Sequence, residues 1–265
     1  MSSLATLRDF AGHLADLARP IARRYYRSAL TIIDKPDATP VTLADQEIEA
    51  TLRAEIARAF PEHGVLGEEE APTRAEAEWL WVIDPIDGTK AFTCGKPQFG
   101  TLVALWHRGV AQIGLIDQPI TGERWLGVRG EGAWFDGRPM RVRPRATRLA
   151  DAIVLMTSPD LFSGGHEGAL ERLRRATKGI YYGGDCYNYA LVAAGHVDLV
   201  VERGLKAVDF AALVNPIEEA GGICCDWAGA PLTLASDGTI VAAASRGLAD
   251  EVLALLAAGA GDAPT

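Results

Sequence analysis

The segment Trp79-Leu80-Trp81-Val82-Ile83-Asp84-Pro85-Ile86-Asp87-Gly88-Thr89 is an apolar run that ends in two carboxylates, a glycine and a threonine. Trp79 to Ile83 reads as a strand, so Asp84 and Asp87 emerge where strands end and ligand loops begin. Pro85 fixes one backbone angle and Gly88 relaxes another, which lets the two carboxylates turn towards one point instead of alternating across a strand. Carboxylates brought together repel unless a cation neutralises them, and ligands that are all oxygen suit Mg²⁺ or Mn²⁺. Asp is also a common turn residue, so from these residues alone a purely structural turn is equally open.

On either side of this segment the apolar spacing changes twice. Leu7, Phe10, Leu14, Leu17, Ile21 and Tyr25 form a helical stripe. After a loop around Lys35 to Pro40, Thr42-Leu43-Ala44-Asp45 has the form of a helix start, and Ile48, Leu52, Ile56 and Phe60 continue its stripe. From Gly100 to Val142 short β-rich runs alternate with Gly-containing turns, which predicts an antiparallel meander. Beyond Pro144 strands and helices alternate: strands at Ile153 to Met156, Ile180 to Tyr182, Val197 to Val201 and near Ile223 and Ile240; helices at Gly168 to Lys178, Tyr187 to Ala194 and Asp209 to Ala220. The Ala-Gly tail after Leu256 reads as frayed. The expectation is an α+β sub-domain over 1–145 and an α/β sub-domain over 146–265.

A formal charge of −9 argues against nucleic acid or an anionic membrane as the main partner, although bound metals can still admit a phosphorylated substrate. No run of 18 apolar residues is present, and Arg8, Asp9 and His13 stand where a signal peptide would be apolar, so a cytoplasmic location is expected. Cys94, Cys186, Cys224 and Cys225 contain no C-x-x-C pair and read as reduced structural thiols.

The spacing of Asp84 and Asp87 separates this chain from phosphatases of the haloacid dehalogenase type, whose two motif aspartates lie two apart. Gly67-Glu68-Glu69, Asp84-Pro85-Ile86-Asp87-Gly88-Thr89, and Asp209 before Glu219-Ala220-Gly221-Gly222 together resemble the inositol monophosphatase superfamily over roughly residues 5 to 245. Gly183-Gly184-Asp185-Cys186-Tyr187, Ala194 to Glu202 and Gly204-Leu205-Lys206 are most similar to its histidinol-phosphatase branch. Val208 departs from the family wording, which often has an aromatic residue before the metal-binding aspartate.

The resemblance implies a layered α-β-α-β-α sandwich of the sugar-phosphatase (inositol monophosphatase/fructose-1,6-bisphosphatase) type, and a homodimer. It implies Glu68, Asp84, Asp87, Asp209 and the carbonyl of Ile86 as ligands of two or three Mg²⁺, with Mn²⁺ as an alternative. Asp45 and Thr89 would activate the attacking water, and the Gly88 and Thr89 amides would hold the phosphate. Without the resemblance, Glu68 reads as one more solvated acid, Asp209 as a helix N-cap and Asp45 as a member of a capping box. The implied reaction is hydrolysis of a small phosphate monoester by metal-activated water, with no phosphoenzyme. Histidinol phosphate is the expected substrate, its ammonium and imidazole met by Asp185 and Glu202. The alternatives are inositol monophosphate or a broader set of sugar or nucleotide phosphates, and, from a different class, a non-catalytic binding or regulatory protein.

Overall fold

The computed structural model describes residues 3–28, 32–34 and 40–258. In chain order the elements are α1 (Leu4–Tyr25), β1 (Ile32–Asp34), β2 (Pro40–Thr42), α2 (Leu43–Ala59), β3 (Gly64–Gly67), β4 (Trp79–Asp87), α3 (Thr89–Thr93), β5 (Gly100–His107), β6 (Val110–Asp117), β7 (Arg124–Val128), β8 (Gly132–Phe135) and β9 (Arg138–Pro139). There follow β10 (Ile153–Met156), α4 (Glu167–Ala176), β11 (Gly179–Tyr182), α5 (Cys186–Ala193), β12 (Leu199–Glu202), α6 (Ala207–Phe210), α7 (Val214–Glu219), β13 (Ile223–Cys225), β14 (Ile240–Ala243) and α8 (Arg246–Ala257).

The alternation of side chains along the strands sorts these elements into five layers. On β5, Val103 and Leu105 point to one side, where they meet Leu7, Leu14 and Ala18 of α1 and Ile48, Leu52 and Ile56 of α2. Leu102, Ala104 and Trp106 point to the other, towards Tyr189 of α5, Phe210 of α6 and Ile217 of α7. Those three helices also receive Val200 of β12 and Ala242 of β14. The opposite face of the second sheet, Leu199, Val201, Val241 and Ala243, packs on Leu170 and Leu173 of α4 and Leu248 and Val252 of α8. The stack is α-β-α-β-α, as the resemblance implies. The first sheet has seven strands in sequence order, with β5 to β9 the antiparallel meander read from the sequence. The second is mixed, in the order β11-β10-β12-β14-β13.

Three local outcomes differ from the sequence reading. The strand from Trp79 does not stop at Ile83 but runs to Asp87, with its pairing to β5 shifted between Asp84 and Asp87. Pro85 has no N–H to give to a ladder, and the irregularity falls where that donor is missing. The expected helix from Asp209 to Ala220 is two short helices, α6 and α7. Pro216 cannot donate back to the preceding turn, so a continuous helix is interrupted and Pro216 sits in the first turn of α7. The sequence reading also missed α8, where Ser245 caps the Leu248 N–H and Leu248, Val252 and Leu256 are buried. Of the loop expected around Lys35 to Pro40, Pro40 opens β2 and 35–39 lie outside the described residues; of the tail expected to fray after Leu256, Ala257 ends α8 and the residues from Gly259 lie outside them.

The broken α6–α7 segment is held tightly on the first sheet by two glycines. A Cβ on Gly114 would stand 2.3 Å from the Ala212 carbonyl oxygen, and one on Gly127 would stand 2.2 Å from the Asn215 carbonyl carbon. Only hydrogen at those positions lets the segment carrying Asp209 lie on the strands that follow Asp84 and Asp87.

Candidate metal and phosphate site

At the irregular end of β4, Asp84 is 1% exposed, and one of its carboxylate oxygens accepts the Ile86 N–H at 3.1 Å. The Thr101 hydroxyl takes the Pro85 carbonyl at 2.8 Å, which fixes the turn from the neighbouring strand. Gly88 then adopts φ +86°, a left-handed conformation that glycine reaches without steric cost, and α3 starts at Thr89. From the other half of the chain, Asp209 enters on α6, where it accepts the Lys206 N–H at 2.6 Å. One oxygen from each of Asp84, Asp87 and Asp209 lies within 4.8 Å of the other two. Three carboxylates at that separation form a donor set for a metal ion.

The electrostatics follow from that crowding. Asp84's carboxyl is pushed well above the usual carboxylate range, first by burial and then by Glu68, Asp87, Asp209 and Asp45. Asp87 is raised by burial, Asp185 and Asp209, opposed by a bond from the Cys186 N–H at 2.6 Å. Asp45, fully buried, is pushed up to about 7, again by burial first, with Glu69 and Glu68 adding to it. The charges acting on Asp84 are all carboxylates, an arrangement a hard divalent cation relieves and an apolar or anionic ligand does not. Oxygen donors with no thiolate or imidazole among them suit Mg²⁺ or Mn²⁺ chemistry.

Asp45 shows how a capping residue and a site residue can be one. Its Oδ2 accepts both the N–H and the hydroxyl of Thr42, at 2.8 and 2.6 Å, completing a capping box at the start of α2. Its Oδ1 is buried and has no hydrogen-bond partner among the described residues. The Thr89 hydroxyl donates to the Ile86 carbonyl at 3.0 Å, so Asp45 and Thr89 each have another partner here.

The proposed substrate-side acids also converge. A cavity of about 150 Å³ is lined by Asp87, Asp209, Asp185 and Glu202 together with Thr157 and Tyr189. Asp185 sits at φ +44°, unusual for a residue with a side chain, and its carboxylate lies where a Cβ on Gly88 would be, 2.9 Å from one oxygen. Holding a non-glycine residue there costs on the order of 1–3 kcal/mol, strain of the kind found at ligand sites. Burial pushes its carboxyl up to about 6 against the pull of Lys90 and Lys96. Glu202, 2% exposed, accepts the Thr157 N–H at 2.5 Å and the Tyr189 hydroxyl at 2.8 Å, and burial pushes it up to about 7. Two larger hollows, of about 500 Å³ beside Arg8 and Trp134 and about 550 Å³ beside Phe60 and Trp79, include none of these acids.

Sequence reading did not single out Tyr189, Thr157 or the Cys186 amide. Tyr189 stands four residues after Asp185 on the helix that Asp185 opens, a spacing that could have flagged it. Thr157 and the Cys186 amide act through backbone N–H groups, which residue type does not reveal. All four cysteines are free, with Cys94 exposed and the other three buried. Among the described residues no helix is long and apolar enough to cross a membrane.

Comparison with known proteins accounts for this convergence. The model of the inositol monophosphatase family matches residues 3–259. The chain is 47% identical over 218 residues to the chloroplastic bifunctional phosphatase IMPL2 of Arabidopsis thaliana, covering 82% of this chain but 63% of that protein's length. It is 34% identical over 235 residues to a histidinol-phosphatase of Chlorobaculum parvum, covering 88% of this chain and 91% of the relative. A solved inositol monophosphatase from Zymomonas mobilis superposes with a TM-score of 0.88 at 42% identity, covering 97% of this chain and all of that one. With its five layers, its cluster of acids and a match across nearly its whole length, the chain belongs to the inositol monophosphatase family of phosphatases.

Proposed function

We propose that this protein is a Mg²⁺-dependent phosphomonoesterase that hydrolyses histidinol phosphate to histidinol and phosphate in histidine biosynthesis, as a cytoplasmic homodimer. The observation that carries the choice of substrate is the pair Asp185 and Glu202, the first half-buried and the second fully buried, which line one cavity with Asp87 and Asp209. A substrate with an ammonium and a titratable imidazole supplies a cation to each, whereas a neutral polyol offers none to the desolvated Glu202 and leaves Asp185 only the pull of Lys90 and Lys96. The histidinol-phosphatase relative supports the same reading.

Glu68, Asp84, Asp87, Asp209 and the Ile86 carbonyl would hold two or three Mg²⁺, or Mn²⁺ in its place. When bound, the cations supply charge neutralisation at the phosphoryl oxygens and make water easier to deprotonate. The protein's own part is placement and proton transfer. The Gly88 and Thr89 amides, at the left-handed turn opening α3, donate to the phosphate oxygens. The Thr89 hydroxyl turns from the Ile86 carbonyl to Asp45 Oδ1, a buried oxygen without a partner among the described residues, and the pair accepts a proton from the attacking water. Asp185 and Glu202 orient the leaving group by its positive charges. In-line displacement then needs no covalent intermediate on the protein.

The second reading, an inositol monophosphatase or broad sugar-phosphate phosphatase with Glu202 accepting from hydroxyls, is supported by the Zymomonas mobilis neighbour. Phosphate release from histidinol phosphate, inositol 1-phosphate and a nucleoside bisphosphate, each with saturating Mg²⁺, separates the two. Histidinol phosphate should give the highest kcat/KM, and a preference for inositol 1-phosphate would overturn the assignment.

A further inference from the structure

Helix α2 carries Asp45, Glu49 and Arg53 at successive four-residue steps, so all three lie along one face. Glu49 is fully buried, and its carboxylate has no outlet to water. Its Oε2 accepts the Glu69 N–H at 2.8 Å, and its Oε1 accepts the Glu70 N–H at 2.9 Å together with Arg53 Nε at 2.8 Å. Arg53 reaches on to the Glu70 carbonyl at 2.9 Å and the Thr73 hydroxyl at 3.2 Å. The turn after β3 is therefore gripped through its amides by the acid and through a carbonyl by the base.

Two features give this clamp more than a packing role. A Cβ on Gly67 would fall 2.3–2.7 Å from the Glu49 carboxylate atoms, so the turn meets the clamp with glycine alone at that point. The turn also carries three consecutive acids, Glu68, Glu69 and Glu70, whose mutual repulsion favours splaying them into solvent. A buried ion pair contributes little net stability against an apolar pair of the same size. Its retention here is better explained by geometry.

We propose that Glu49, backed by Arg53, is a positioning residue that fixes Glu68 relative to Asp45, so that one helix sets the spacing between a metal-side carboxylate and the proton-accepting one. Asp45 stands one turn before Glu49 on α2, and Glu68 stands immediately before the two amides that Glu49 holds. The inference rests on the reading of the acidic cluster as a metal site.

The test uses the intact protein and Mn²⁺ as probe, with free Mn²⁺ counted by electron paramagnetic resonance. Glu49→Gln keeps the shape, yet its amide group offers one acceptor oxygen and turns a donor towards an N–H that needs an acceptor. It should weaken Mn²⁺ binding roughly 10-fold to 100-fold, the usual effect of removing a group that orients a ligand. The Mg²⁺ concentration for half-maximal phosphate release should rise by the same factor, with a much smaller change at saturating Mg²⁺. Amide hydrogen exchange should accelerate at Glu69 and Glu70 and stay slow in β4. Arg53→Lys, which retains the charge beside Glu49, should show a smaller shift of the same sign and serves as the readout where Glu49→Gln folds poorly. Faster exchange at Glu69 and Glu70 with Mn²⁺ affinity unchanged would reduce the clamp to loop packing and overturn the proposal. Unchanged Mn²⁺ affinity in Asp87→Asn would instead remove the metal site itself, and the assignment with it.

Discussion

Glu202→Gln should make the protein more stable than the parent by an amount that grows with pH. Glu202 ends β12 fully enclosed, and burial raises its carboxyl from 4.5 to about 7. An acid whose folded value lies above its unfolded value favours folding while both states are protonated. That contribution is complete below about 4.5, drains away as pH rises and is gone above about 7. The gap between 4.5 and about 7, at about 1.4 kcal/mol per pH unit, amounts to about 3 kcal/mol. Glutamine does not ionise, so the variant escapes this loss. Its carbonyl oxygen can keep the Thr157 N–H, and the Tyr189 hydroxyl can reverse from donor to acceptor against the new amide, so both bonds survive. Urea unfolding of the two proteins in chelator, at pH 5 and pH 8, should show the difference in unfolding free energy moving in the variant's favour by about 2–3 kcal/mol. A difference that stays constant over that range would mean that Glu202 ionises in the fold as easily as in water, and would remove the basis for its role as a cation partner. The same burial would favour the proposed cationic leaving group, because an ammonium beside Glu202 favours the ionised form that burial opposes.

Asp185→Ala should cost about 10-fold to 100-fold in kcat/KM on histidinol phosphate while sparing inositol 1-phosphate, since a charged hydrogen bond is worth about 1.5–3 kcal/mol; equal losses on both substrates would contradict selective recognition. Asp117, fully buried, accepts Arg19 Nε and Nη2 at 3.0 and 2.6 Å and Arg124 Nε at 2.7 Å, tying α1 to β6 and β7. Asp117→Asn should lower unfolding free energy in urea by about 2–4 kcal/mol, because two guanidiniums lose their shared counter-charge but can partly rehydrate. Gly127→Ala should cost about 1–3 kcal/mol through collision with the backbone at Asn215 and Pro216. Gly109→Ala meets no atom within 4 Å and should cost only the about 1–2 kcal/mol of a left-handed residue, so calorimetry of the pair separates crowding from backbone strain.

What the sequence revealed and what it hid divide along physical lines. The layers were readable because each depends on periodicity over several residues, as in the stripe Leu7, Leu14, Ile21 of α1 or the meander from Gly100. The extension of β4 through Asp87 was not, because Pro85 inside a strand argues for an end, and only pairing with β5 shows that the shift accommodates it. The break between α6 and α7 carried a signal in Pro216 that a count of apolar positions passes over. Asp84 and Asp87 announced themselves by sitting together after an apolar run. Asp45 on α2, Glu68 in the turn after β3 and Asp209 on α6 were selected through family resemblance, because nothing in their local sequence points to a shared site; of the three, Asp209 joins Asp84 and Asp87 in one donor group. Glu49 showed only an i,i+4 pairing with Arg53, the mark of an ordinary helix ion pair, since its other partners are main-chain amides of Glu69 and Glu70.

Under the proposed function, Glu68, Asp84, Asp87 and Asp209 cage divalent cations beside a phosphoryl group. Anomalous scattering from crystals grown with Mn²⁺ and inorganic phosphate tests it directly. Peaks are expected beside oxygens of those four side chains and the Ile86 carbonyl, with the phosphate on the Gly88 and Thr89 amides. Manganese found only elsewhere on the surface, in a preparation that still releases phosphate, would contradict it.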